Sequence, residues 1–405
     1  YNQHNTAVSD SLGKADLLNN YFFSIFTKED TCTMPGLNSA LLSPAMEKIV
    51  VTSNGVQNLL DTLNANKAGG PDKLPIRILK ELSQELAPLL AQLFQQSLDE
   101  GKLPNDWKIA NVVPIFKKGK RSLPNNYRPV SLTSVTCKIL EHVICHHIWE
   151  HLEQHNILSD FQHGFRKRRN CETQLIITLH DLVSAVNKGK QVDAFILDFS
   201  KAFDRVPHGR LLYKLNHYGI RGDLLAWVED FLTRRTQSVI LEGESSISCP
   251  VTSGVPQGTV LGPLLFLLYV NDLPLCISSS IRLFADDCLL YRTINDSNDN
   301  LSLQNDLDAL SKWERDWQMA FNIEKCHTMC ISTRRAVELG YSYTLNNHTL
   351  ERVHHHSYLG VLLSDDLKWA SHVAHVTSSA NQTLGVIRRN FRTASVECKS
   401  RLYCS

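Results

Sequence analysis

Three carboxylates in two separate stretches of this chain are placed to do metal chemistry. Asp286 and Asp287 lie in Phe284-Ala285-Asp286-Asp287, between the β-prone runs 280–283 and 288–291. No helix fits between those runs, so the pattern predicts a hairpin that carries both carboxylates at its turn. An acidic pair at a turn is also an ordinary solvated feature. Upstream, Ala194-Phe195-Ile196-Leu197 runs straight into Asp198, an apolar strand ending on a charge that needs a partner. If Asp198 and the acidic turn lie on adjacent strands, three carboxylates crowd one spot, and divalent metal ions relieve their repulsion. Mg²⁺ is the natural candidate, because it prefers hard oxygen ligands and is typically held by one or two carboxylates plus substrate phosphates.

Basic residues supply the complementary charge. A strand predicted over 109–116 is followed by Lys117, Lys118, Lys120 and Arg121, and Arg128 follows in Asn125-Asn126-Tyr127-Arg128-Pro129-Val130. This is either a solvated hairpin loop or a triphosphate clamp, with Lys as point charge and Arg as planar fork. A second cluster, Arg166-Lys167-Arg168-Arg169, comes just after Gln162-His163-Gly164-Phe165, and phosphate-backbone contact is its functional reading. The loop Ser253-Gly254-Val255-Pro256-Gln257-Gly258-Thr259-Val260-Leu261-Gly262-Pro263 is short of bulky side chains, which lets something approach its backbone closely. It reads as a plain turn and helix start, or as a site where the Gln257 amide meets a flat partner. His147 and His151 are spaced i, i+4, but the glutamate of a zinc-protease helix is missing after the first. Cys326, His327, Cys330 and the run 354–356 lack a second half with zinc-ligand spacing, and read as packing and surface residues.

The elements that must position these groups are legible from periodicity. Helices are expected over 14–26, from Ser53, across 76–98, over 140–155, and over 301–317 with Leu303, Leu307, Leu310, Trp313 and Trp317 on one face. A hairpin is expected over 236–250, turning at Glu242-Gly243-Glu244, and a nearly all-apolar helix after Pro263. A Thr/Pro/Gly/Ser-rich stretch through Ser43 reads as a connection.

Composition sets the outer bounds. A chain of 405 residues, 43% hydrophobic and 20% charged, can bury a sizeable core and is expected to form two or three subdomains of a soluble globular protein. Its formal net charge of +1 gives no global attraction for nucleic acid, so any such partner must be held by local clusters. The longest apolar run, over 261–270, is too short to span a bilayer and the first residues do not read as a signal peptide, so no membrane partner and an intracellular location are expected. Its 11 cysteines are scattered rather than framed as a disulfide scaffold. The absence of an initial Met and the structured-looking final residues suggest a piece of a longer protein.

Taken in order, Leu197-Asp198-Phe199-Ser200-Lys201-Ala202-Phe203-Asp204, the loop 253–263, and Phe284-Ala285-Asp286-Asp287 resemble the palm motifs of reverse transcriptases. The Phe-Ala-Asp-Asp turn is the form found in the non-long-terminal-repeat, LINE-type retrotransposons, and 67–75, 113–118, 127–132 and 162–166 resemble that group's finger motifs. The resemblance covers about residues 55–365. One departure is Arg166-Lys167-Arg168-Arg169-Asn170, where a glycine-and-serine turn is more usual, and it bears on template contact rather than catalysis.

The resemblance implies an α+β right-hand polymerase: an N-terminal extension or linker (1–45), a helical fingers extension (46–96), fingers (97–194), an antiparallel-sheet palm with a primer-grip turn (195–365), and the start of a truncated helical thumb (366–405). It implies RNA-directed DNA synthesis, extending a primer on an RNA template with dNTPs. Two Mg²⁺ ions, for which Mn²⁺ is a possible substitute, would be held by Asp198, Asp286 and the Phe199 carbonyl, with Asp287 completing the acidic site. One ion would lower the pKa of the primer 3′-hydroxyl and the other would neutralise triphosphate charge. Lys325 matches a palm lysine that can donate a proton to leaving pyrophosphate, and is otherwise a surface lysine. Lys117, Lys118, Arg128, Phe203, Gln257 and Gly258 would meet the nucleotide. Arg166, Lys167 and Arg169 would meet the template, and Tyr358, Leu359 and Gly360 the primer end. A group II intron maturase, or a decayed or domesticated copy that binds RNA without copying it, are the alternatives; the intact Asp198, Asp286, Asp287, Gln257 and Arg128 speak against decay.

Overall fold

The computed structural model describes residues 8–37, 42–332 and 341–404. In chain order the helices are α1 (Ser11–Ile25), α2 (Ser53–Asp61), α3 (Ile76–Glu81), α4 (Ser83–Glu100), α5 (Val135–Gln154), α6 (Cys171–Asn187), α7 (Ala202–Arg205), α8 (His208–His217), α9 (Gly222–Leu232), α10 (Leu261–Val270), α11 (Ser297–Trp317), α12 (Ala370–Asn390) and α13 (Val396–Cys404). The strands are β1 (Ile109–Phe116), β2 (Tyr127–Leu132), β3 (Gln191–Asp198), β4 (Arg235–Leu241), β5 (Glu244–Ser245), β6 (Cys249–Val251), β7 (Ser280–Phe284), β8 (Asp287–Ile294), β9 (His327–Ile331), β10 (Thr344–Leu345), β11 (His348–Thr349), β12 (Glu351–Arg352), β13 (His355–Tyr358) and β14 (Val361–Ser364). The mixed helix and sheet content agrees with the α+β class expected. The single helix expected across 76–98 is two, α3 and α4, broken at Leu82.

The central sheet has the order β12-β9-β3-β8-β7. It is antiparallel except at its edge, where β12 runs parallel to β9. Strand β3 lies in the middle, and its stretch from Ala194 to Leu197 is wholly apolar because both its faces are covered. Phe195 and Leu197 join the large helical core, while Val192, Ala194 and Ile196 pack with Leu182, Val186, Tyr358 and Leu363. Alternation of side chains across a strand makes this division by parity. α11 closes the helical face with Leu303, Leu307, Leu310, Trp313 and Trp317 all buried, the stripe that its spacing predicts. Full burial of such side chains is worth roughly 1.5–3 kcal/mol each.

A second sheet joins β2, β1, β4, β5 and β6. Strands β1 and β2 form the expected hairpin, and β4 to β6 the expected turn at Glu242-Gly243. The parallel pairing of β1 with β4, Ile109 opposite Thr236, brings residues 235–251 into the sheet of the basic hairpin. Helix α1 packs on this sheet through Ala15, Leu18, Phe22 and Ile25 against Val112 and Val239. The N-terminal stretch read from sequence as an extension or linker is thus partly structural. Glu29 accepts from the Gly209 and Arg210 backbone amides at 2.9 Å, and Arg210 donates to the Asp30 and Thr33 carbonyls. Of the connection through Ser43, residues 38–41 lie outside the described residues.

One buried charge is compensated locally. Lys214, fully buried, donates to the Tyr269 carbonyl at 2.6 Å and to Asp272 at 2.5 Å, and its ammonium lies 3.6 Å from the centre of the Trp317 ring. Burial lowers its pKa to about 8 even so. At the other end of the chain, α12 and α13 bury no side chain.

Candidate active site

The β3–β8 register sets Asp198 directly opposite Asp287. The β7–β8 hairpin closes Phe284 on Asp287, so its turn is Ala285-Asp286: Asp286 stands in the turn and Asp287 is the first residue of the strand. Ala285 has φ 53°, an uncommon conformation for a residue with a Cβ. It is held there by Gln162, whose Oε1 accepts from the Ala285 amide at 2.9 Å and the Gly164 amide at 2.8 Å. The segment 161–163 runs along β7, with bonds from the Leu283 amide to the Phe161 carbonyl and from the His163 amide to the Leu283 carbonyl. Gly164 has to be glycine, since a Cβ there would lie 2.3 Å from the Ala285 nitrogen.

The three carboxylates feel one another. Burial raises the Asp286 pKa and the Asp198 charge raises it further; burial, then Asp286 and Asp198, push Asp287 up to about 6. Lys117 lowers both, and Arg128 lowers Asp286, so these two cations of the basic hairpin face the acidic cluster. Lys325 is brought to the same place. Bonds from the Asn322 amide to the Asp198 carbonyl and from the Ser200 amide to the Ala320 carbonyl, both 2.7 Å, lace its turn to the end of β3. The Lys325 ammonium then lies 2.7 Å from Asp198 Oδ2. Among the described residues no three His, Cys, Asp or Glu side chains already form a cage for a metal ion. The donor chemistry nevertheless suits a hard divalent cation: carboxylate oxygens brought together at one sheet end, with the Asp198 charge raising the pKa of both Asp286 and Asp287 and a lysine ammonium on Asp198.

A sequence profile described as "Reverse transcriptase (RNA-dependent DNA polymerase)" matches residues 115–363, which include all four of these groups. The chain belongs to the reverse transcriptase family. It is 32% identical over 371 residues to the RNA-directed DNA polymerase from mobile element jockey of Drosophila melanogaster, a match covering 88% of this chain and 40% of that protein. The jockey protein of Drosophila funebris is 30% identical over 341 residues, 81% of this chain and 37% of that protein. The Pol polyprotein of the type-1 retrotransposable element R1 of Bradysia coprophila is 24% identical over 340 residues, 80% and 32%. Such relatives agree with the LINE-type resemblance of the motifs. This chain spans about two fifths or less of the length of these relatives.

The remaining residues singled out from sequence in this reverse transcriptase domain fall into three groups. The first group includes Phe203, half-buried, which stacks on Phe266 with centroids 4.6 Å apart and meets Phe165 edge-on at 6.2 Å. Phe199 is buried and stacked on Phe321. The approach allowed by Gly258 is made by the protein's own β2: a Cβ there would lie 2.6 Å from the Ser131 carbonyl oxygen, and the Ser131 amide donates to the Gln257 carbonyl. The Gln257 side chain donates from Nε2 to Asp204 at 3.0 Å. Lys118 lies exposed in the loop after Lys117.

The second basic cluster divides. Arg169 donates to the Asp160 carboxylate at 2.7 Å and to the Asp160 carbonyl, and Arg166 to the Ser159 carbonyl at 2.8 Å, so both brace the loop that holds the acidic turn. Lys167 and Arg168 are exposed. With burial and these arginines nearby, His163 is held down to about 4. In the third group, Leu359 and Gly360, φ 47° and 84°, make the β13–β14 turn, and buried Tyr358 accepts from Gln174. His151 bonds the Tyr218 carbonyl rather than joining His147.

Sequence reasoning missed several positioning groups. Glu141, fully buried on α5, accepts from the Val260 and Leu261 amides at 2.7 and 3.0 Å and so caps α10, the helix that follows the Gln257 loop. Its signal was a lone acid beside Leu140 within an otherwise apolar stripe. Lys201, at φ 52°, reaches the Asn125 carbonyl and ties the motif after Asp198 to the basic hairpin.

Proposed function

We propose that this chain is the polymerase portion of a retrotransposon reverse transcriptase, a right-hand polymerase that extends a DNA primer 3′-hydroxyl with dNTPs on an RNA template. The observation that carries this reading is Asp198 opposite Asp287 with Asp286 at the adjoining turn, inside a reverse transcriptase domain. In this reading the central sheet is the palm, the β1–β2 hairpin belongs to the fingers, and α12 and α13 begin the thumb. Asp198, Asp286 and the Phe199 carbonyl would hold two Mg²⁺ ions, with Mn²⁺ as a substitute. When bound, such ions activate the primer hydroxyl and neutralise triphosphate charge.

The chain's own groups do the rest. Lys117 and Arg128, facing the acids, would orient the triphosphate, and Lys118 lies within reach of the same loop. Lys325 would release Asp198 to the metal and hold a proton at its Nζ for departing pyrophosphate; the phosphates favour its charged form. Gln257 and Phe203 would line the nucleotide's sugar and base, Lys167 and Arg168 would meet template phosphates, and the Tyr358-Leu359-Gly360 turn would seat the primer end. No helix among the described residues is long and apolar enough to cross a membrane.

The test is primer extension on an RNA template with dNTPs, comparing Mg²⁺, Mn²⁺ and chelator. Extension is expected with either ion and none with chelator; no extension with any ion, from a chain that binds the primer–template, would overturn the proposal.

The raised carboxyls also make a prediction for stability. Asp287 stands at about 6 in the folded chain against an ordinary 3.8. Between those values the unfolded chain has lost protons that the folded chain keeps, so metal-free stability falls as pH rises through that window. Above it the ionised cluster is ready to bind a cation. Thermal unfolding should show Mg²⁺ raising Tm clearly at pH 8 and little at pH 5. An equal shift at both values would separate metal binding from these acids.

A further inference from the structure

We infer that Asp204 is a positioning residue of the nucleotide site, fixing which end of the Gln257 amide is free to meet the incoming nucleotide. The inference rests on the polymerase reading above.

The geometry around Asp204 is unusually constrained. Its backbone is clamped to the Gln257 loop on both sides, by bonds from the Val255 amide to the Phe203 carbonyl at 2.7 Å and from the Gly254 amide to the Val206 carbonyl at 2.8 Å. The Ser253 hydroxyl donates to the Asp204 carbonyl at 2.8 Å and itself accepts from the Thr27 amide of the N-terminal segment. Gly254, at φ +88°, leaves no room for a Cβ, which would lie 2.7 Å from the Asp204 carbonyl oxygen. The carboxylate therefore has a fixed origin, and its Oδ1 accepts from Gln257 Nε2 at 3.0 Å. The loop's far end is held as firmly, by the Ser131 amide on the Gln257 carbonyl and by Glu141 on the amides of residues 260 and 261.

An ionised carboxylate can only accept, whereas an amide side chain presents a donor at one end and an acceptor at the other. With Asp204 charged, Gln257 must turn its nitrogen toward it, which leaves Oε1 and the second N–H for a partner. Burial pushes the Asp204 carboxyl up to about 6, while Gln257, Lys201, Arg128 and Arg205 pull the other way and favour its charged form. Tyr21, from α1, is the other titratable group that senses its charge. Asn at 204 would accept through one end and donate through the other, and so would permit both orientations of Gln257.

The experiment is a double-mutant cycle in steady-state primer extension with Asp204→Asn, Asp204→Ala, Gln257→Ala and the Asp204→Ala/Gln257→Ala pair. Because two side chains acting as a unit lose their effect together, Asp204→Ala and Gln257→Ala should each raise the KM for dNTP by about tenfold, the scale of one lost hydrogen bond to a charged group. The pair should be no worse than either single change, and kcat should alter far less than KM. Asp204→Asn, nearly isosteric and able to fold, should fall between wild type and Asp204→Ala. Losses that multiply in the pair, or a KM unchanged in Asp204→Asn and Asp204→Ala, would overturn the inference while wild-type extension still upholds the polymerase reading. A wild-type chain that extends no primer would overturn both.

Discussion

Asp198→Asn and Asp286→Asn are each expected to leave a folded chain that binds primer and template but has lost nearly all nucleotide addition. Asn keeps the shape and one acceptor oxygen but loses the charge that a hard divalent ion requires. Metal stabilisation of charge on the attacking and leaving oxygens supplies several kcal/mol, so extension should fall about a thousandfold or more. The two variants should differ in stability. Burial, and after it the Asp198 charge, raise the Asp286 pKa, so neutralising it removes a buried charge and its repulsion, and the metal-free Asp286→Asn chain should unfold at a higher temperature than wild type near neutral pH. Asp198 is paired with the Lys325 ammonium at 2.7 Å, a partly exposed contact worth at most about 1 kcal/mol, so Asp198→Asn should unfold close to wild type. Extension by either variant within tenfold of the wild-type rate would remove that carboxylate from the reaction.

The acidic hairpin was legible because its signals are local. A β-prone run, a two-residue turn and another β-prone run specify a hairpin wherever they occur, and an apolar strand ending in Asp198 announces a charge that needs company. Their meeting is a matter of register, and sequence offered it only as a condition. The same limit explains what went unread. Glu141 caps a helix about 120 positions away, and Asp204 holds Gln257 from 53 positions away. Each is an unremarkable acid until the chain closes. The parallel pairing of β1 with β4 joins strands separated by five helices and by β2 and β3. Nothing in either strand's alternation names its partner. The N-terminal stretch misled for a related reason: its polar residues, Thr27, Glu29 and Asp30, look like solvated linker until Ser253 and Arg210 arrive to bond them. Arg166 and Arg169 likewise read as free positive charge, because the Asp160 and carbonyl oxygens that engage them lie in a turn whose shape the sequence does not display.

Phe203→Ala should let ribonucleotides in. In the proposed site the Phe203 ring lies beneath the incoming sugar and fills the space that a 2′-hydroxyl needs. The ring is well suited to act as a wall. One side is stacked on Phe266, the other is not fully covered, and its backbone carbonyl is fixed by the Val255 amide at 2.7 Å. A hydroxyl pressed against such a face loses water without gaining a hydrogen bond, a penalty on the order of 1–3 kcal/mol, or roughly fivefold to a hundredfold in selectivity before any steric clash. The competing role is plain packing, and the stack on Phe266 makes some loss of stability certain. Complete burial would set that loss at about 3–5 kcal/mol; a half-buried ring should cost less. The two roles separate in ratio rather than in rate. A wall removed raises rNTP incorporation relative to dNTP incorporation, whereas a loosened core lowers both together. Incorporation of each substrate opposite the same template base should therefore be measured alongside thermal unfolding of the variant, with Phe266→Leu as a control that loosens the same stack while keeping the Phe203 ring. A raised rNTP to dNTP ratio in Phe203→Ala and an unchanged one in Phe266→Leu is the expected result. An unchanged ratio in both, with both destabilised, would return Phe203 to the core.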